Sequence, residues 1–71
     1  MNNTKLDIWT VYYDTWDFTN LYVVRKFLVN KPTEEFYISK SLMEIRNHIP
    51  EGKIYCGRHE SDDPKIVEVW I

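Results

Sequence analysis

The sequence has a single cysteine, Cys56, and only two glycines in 71 residues. A lone thiol cannot close an internal disulfide, which argues against a disulfide-stapled secreted domain and fits a reducing compartment. Gly52 and Gly57 do not have the spacing of a phosphate-binding loop. No apolar run approaches the ~20 residues needed to span a bilayer. The opening MNNTKLDIW has no cationic segment followed by an apolar core, and its second residue is Asn. Neither a signal peptide nor myristoylation is expected from it, so the expected location is cytoplasmic, with no membrane. A basic excess is missing too: the formal net charge is −2. That leaves no electrostatic footprint for nonspecific nucleic-acid binding.

The composition is that of a core-forming chain. Apolar residues make up 44%, aromatics 15% and charged residues 28%, which reads as globular rather than disordered. One domain over 1–71 is expected. A chain this short hides only about 60% of its unfolded surface, so a second subunit is a common source of extra stability.

Strand signals come first. LDIWTVYY, residues 6–13, is rich in β-branched and aromatic types. Leu6, Ile8, Thr10 and Tyr12 share one face, and Asp7, Trp9, Val11 and Tyr13 the other. DTWDFTN follows and reads as a loop too long for a two-residue hairpin. LYVVRKFLVN, residues 21–30, is a second strand, with Leu21, Val23, Arg25, Phe27 and Val29 opposite Tyr22, Val24, Lys26 and Leu28. NKPT ends it, because Pro32 cannot donate to a ladder. A short third strand fits around Phe36 to Ile38. SLMEIRNHIP is the one helix: Ser41 and Glu44 have capping-box spacing, and Leu42, Ile45 and Ile49 make an apolar stripe. KIYC and KIVEVWI are the closing strands, joined by GRHESDDP. The expected fold is α+β: four or five largely antiparallel strands with one helix on one face, in the order β-β-(β)-α-β-β.

The stretches IWTVYYDTWDFTNLYVVRKF, SLMEIRNHIP and GRHESDDPKIVEVWI resemble a group of short uncharacterised proteins from bacteria and their phages. Its members share an aromatic first strand, a VVRRF-type second strand, a Leu-containing helix ending in Pro and a terminal DDPxIVEVW. The resemblance implies a small phage or prophage accessory protein. It brings no catalytic residue, because the group has no established activity.

Chemistry-bearing residues are sparse. Cys56, His59, Asp62 and Asp63 are zinc-ligand types, but they make only half of a paired motif, and ESDDP has turn chemistry. Cys56 as a nucleophile would need His59 aimed at it, and a strand places the two differently. His48 suits a helix C-terminus. Adjacent carboxylates, Glu34 with Glu35 and Asp62 with Asp63, diverge on strands and turns, so neither makes an acid–base pair. Arg25 interrupts an apolar face. It either covers that face with its stem or binds an anion in a groove, and the first reading is favoured. No catalytic residue, metal or cofactor is expected.

Both strand faces are apolar, yet one helix covers one face. The other needs a loop, a second copy or a partner. The leading expectation is a non-enzymatic interaction module that self-associates, as a homodimer, or binds a protein through an aromatic sheet face. The expected contacts are Trp9, Tyr13, Trp16, Phe18, Tyr22, Arg25 and Trp70, with Lys26, Asp14 and Asp17 at the rim. The alternative is a phage anti-defence or host-takeover protein that captures a nucleotide or inhibits a nuclease.

Overall fold

Runs of β-branched and aromatic side chains dominate the chain, and strands dominate the fold. The structure, a computed structural model, describes residues 7–28, 31–60 and 62–71. Its elements are β1 (Asp7–Thr15), β2 (Phe18–Leu28), β3 (Lys31–Ser39), α1 (Leu42–Arg46), β4 (Tyr55–Gly57) and β5 (Ile66–Trp70). The strands form one five-stranded sheet in the spatial order β3-β2-β1-β5-β4. Every neighbouring pair is antiparallel. The helix is a minor part, so this is an α+β fold weighted heavily to strand.

The pairing of β1 with β2 is tighter than the loop-like DTWDFTN suggests. Thr15 pairs with Phe18, and only Trp16 and Asp17 lie between the strands. The polar residues are absorbed by an irregularity between Tyr13 and Thr15. Asp14 and Asn20 take φ of 63° and 61°, a left-handed conformation that Asp and Asn tolerate better than most residues. Asp14 Oδ1 accepts a 2.8 Å hydrogen bond from the Asn20 N–H and locks the two together.

The third strand is longer than expected, starting at Lys31 rather than near Phe36. Pro32 sits within it, opposite Phe27. An edge strand has one row of N–H groups facing away from the sheet, so a proline is tolerated there. Leu6, Val29 and Ser61, which the strand and turn readings also used, lie outside the described residues.

The helix is shorter than SLMEIRNHIP implies, with turns continuing it from Asn47 to Ile49. Its N-terminus is capped through an extra hydroxyl. Ser41 Oγ accepts from the Glu44 N–H at 3.2 Å, while the Ser41 N–H donates to Ser39 Oγ at 3.0 Å. Ser39 Oγ in turn donates to Glu44 Oε1 at 2.6 Å. His48 does not simply flank a helix end: its ring stacks on Tyr37 at 4.2 Å.

The stripe of α1 meets one face of the sheet. Trp9, Val11, Val24 and Ile45 form the buried core, flanked by Tyr22, Tyr37, Leu42, Ile49, Val67 and Trp70. Lys53 bonds the Asp7 carboxylate and donates to the Asp7 carbonyl at 2.8 Å, closing the end of that face. The Asp7 carboxyl is held below the usual carboxylate range first by the Lys53 bond, with burial opposing and the Trp9 N–H helping least. That N–H falls short of a full hydrogen bond: Trp9 Nε1 is buried with no partner among the described residues.

Glu68 pins helix to sheet. It is 1% exposed and sits opposite Val11, on the face that α1 covers. Arg46 donates to it twice, from Nε at 2.9 Å and from Nη2 at 2.6 Å, and the Trp70 indole N–H donates at 2.8 Å. The Arg46 hydrogen bonds hold the Glu68 carboxyl below its ordinary value of 4.5, against the opposing effect of burial. A lowered folded value contributes stability above that ordinary value, and the contribution is lost as pH falls through the folded value.

Two predictions follow from this packing. Ile45→Ala removes a fully buried side chain and lowers stability by about 2–5 kcal/mol in urea titrations. Met43→Ala, at a residue 72% exposed on the same helix, changes it by less than about 0.5 kcal/mol. Glu68→Gln lowers the melting temperature at pH 7 and flattens the fall in stability below pH 4.5, with Asp7 and Asp14 carrying what remains of that fall.

Candidate functional site: the helix-free face

The face turned away from α1 follows from the same register. Ile8 lies opposite Phe27, Thr10 opposite Arg25 and Tyr12 opposite Val23. From β3 come Ile38, opposite Val23, and Phe36, opposite Arg25; from β5 come Val69, opposite Thr10, and Ile66, opposite Tyr12. None of the described helix lies over these side chains. Phe36 is 39% exposed and Ile38 is 44% exposed.

The seven expected contact residues are divided between the two faces. Trp9 is core, 3% exposed beneath the helix. Trp70 shares its face, with its N–H on Glu68 and its ring edge-on to Tyr55 at 5.3 Å. Tyr13 and Tyr22 lie on that side too, with ring centres 4.7 Å apart. Trp9, Tyr13, Tyr22 and Trp70 therefore belong to the helix-covered side. Trp16, Phe18 and Arg25 are on or beside the open side. Of the rim residues, Lys26 is drawn under the sheet, 3.6 Å from Glu35 and 5.9 Å from the centre of the Trp9 ring. Asp14 is held by Asn20 and Lys65. Asp17 alone reaches the open side.

On that side Tyr12, Thr15, Trp16, Asp17, Val23 and Arg25 line a pocket of about 220 Å³. The β1–β2 turn builds its outer wall. Trp16, at the tip of the turn, is 91% exposed. Asp17 accepts a 2.8 Å hydrogen bond from the Thr15 hydroxyl. The Arg25 guanidinium lies 4.9 Å from the centre of the Phe36 ring, and Phe36 meets Phe18 at 5.6 Å. Burial pushes the Tyr12 phenol above its ordinary value of 10.0; Arg25 opposes this, and Asp63 and Asp62 reinforce it. No family model, curated protein or solved structure matches this chain. The pocket is therefore interpreted from its own residues.

A second depression lies on the same side, lined by Cys56, Gly57, His59, Asp62 and Val69, with a volume of about 300 Å³. Cys56 and His59 both border it, with Gly57 at a φ of 66° between them. The turn reading of the segment fits the hydrogen bonds. Asp62 Oδ2 accepts from the His59 N–H at 2.8 Å, and Asp63 Oδ1 accepts from the Lys65 N–H at 2.8 Å. Arg58 Nε donates to the Ile66 carbonyl at 3.0 Å. Among the described residues, no three His, Cys, Asp or Glu side chains gather to hold a metal ion. Among them also, no helix is long and apolar enough to cross a membrane.

Tyr12, Phe36 and Ile38 were not among the expected contacts. Tyr12 was legible as a neighbour of Val23 and Phe27, but not which face the helix would take. Removing the opposing cation tests the geometry: in Arg25→Ala the Tyr12 phenol titrates at higher pH than in the parent chain, read from its ring resonances.

Proposed function

We propose that this chain is a non-enzymatic interaction module that self-associates through the helix-free face of its sheet. The observation that carries this reading is the exposure of Phe36, Ile38 and Trp16 on the face that α1 leaves open. Contiguous exposed apolar patches larger than a few hundred Å² mark contact surfaces. Each buried aromatic supplies about 150–250 Å², and a standard interface needs about 800 Å² per partner. Trp16, at 91% exposed, is the largest single contribution from this side, with Phe36 and Ile38 adding to it. The two-fold pairing of identical patches is the commonest way to cover such a face.

The other reading, capture of a nucleotide or inhibition of a nuclease, draws on Arg25 beside the rings of Tyr12 and Trp16. At about 220 Å³ this pocket falls below the ~300–1,000 Å³ of most small-molecule sites, which weighs against nucleotide capture in it.

Sedimentation equilibrium at micromolar concentration tests the proposal. The parent chain is expected at about twice its 8.6 kDa mass. Phe36→Glu, which puts a charge into the interface, shifts it to the monomer mass while leaving the melting temperature within a few degrees. A parent chain that stays monomeric throughout rejects self-association.

A further inference from the structure

We propose that the two copies interlock through their β1–β2 turns: Trp16 of each enters the other's pocket, and Asp17 of each accepts the other's Arg25. This rests on the self-association reading and specifies its contact.

Three observations on one patch support it. The first is an unused cation. Arg25 is half-buried on a central strand, and its only direct partner among the described residues is the Phe36 ring. Its N–H donors make no hydrogen bond or ion pair there, although a guanidinium is shaped to grip a carboxylate through two parallel bonds. The second is an anion lining the same pocket. Among the described residues Asp17 accepts only from the Thr15 hydroxyl and is not bonded to Arg25 of its own chain. The third is a projecting indole beside a concave surface. Trp16 is 91% exposed, so it borders its own pocket without filling it.

A two-fold contact must be self-complementary, because the same patch serves both copies. A cation with an anion, and a projection with a pocket, meet that condition within one patch. A foreign partner would need only one of each pair.

Charge reversal with rescue tests this by sedimentation equilibrium on the full chain. Arg25→Glu and Asp17→Arg are each expected to weaken association at least tenfold, and the double variant to restore it to within about threefold of the parent. Trp16→Ala weakens it at least tenfold. Should Arg25→Glu fail to fold, the exposed Asp17→Arg and Trp16→Ala variants decide alone. A dimer that Phe36→Glu dissociates, but that Asp17→Arg and Trp16→Ala leave within threefold of the parent, overturns this contact and spares the open-face reading. A parent chain that is monomeric overturns both.

Discussion

The ion pair between Arg46 and Glu68 is the constraint on which the architecture turns. A carboxylate 1% exposed cannot be left unpaired in a sheet core. The Arg46 guanidinium meets both of its oxygens, and the Trp70 N–H takes one of them as well. The pair ties the last turn of α1 to β5, on the far side of β1 from the strands that lead into the helix. It also fixes which way the sheet faces. Glu68 shares a face with Val11, so the helix must lie over Trp9 and Val11 to reach it.

Once that face is assigned, the rest of the apolar surface is assigned with it. Pleating puts alternate residues on opposite sides, so burying Trp9, Val11 and Val24 leaves Ile8, Tyr12, Val23 and Phe27 on the other side. One helix of five residues has no reach across a second face. A short chain with apolar residues at both strand phases thus keeps Phe36 and Ile38 partly exposed on the side the helix does not reach, around a buried Val23.

The β1–β2 hairpin gives that open surface its shape. Two residues in the left-handed region, Asp14 and Asn20, absorb the irregularity near the end of the strands, and the Asp14 carboxylate fixes them. The turn beyond them carries Trp16 and Asp17 to the edge of a pocket that Arg25 also lines. The edges of the sheet differ in character as well. The β3 edge carries Pro32 with Lys31, Glu34 and Glu35, which resist pairing with another strand, while β4 is only three residues long.

Periodicity and capping determined the element order, the phases of β1 and β2 and the helix stripe, but not the phase of β5, where an irregularity opposite Val11 and Tyr12 puts Ile66 on the same side as Val69 and lets Val67 pack on the core with Trp70. Period-two alternation separated Trp9 and Val11 from Ile8 and Tyr12, and the spacing of Leu42, Ile45 and Ile49 marked the face that packs. Both are local properties of the chain. Local pattern could not say which sheet face receives the helix, because both were apolar and equally able to accept it. Only tertiary structure decided that, through Glu68 and Arg46, residues 22 apart that meet across the core. The same decision moved Trp9, Tyr13, Tyr22 and Trp70 to the helix side and left Tyr12, Arg25, Phe36 and Ile38 on the open one. The hairpin was hidden for a related reason. DTWDFTN has loop-forming residues, and only pairing against β2 shows that they bend a strand rather than end it.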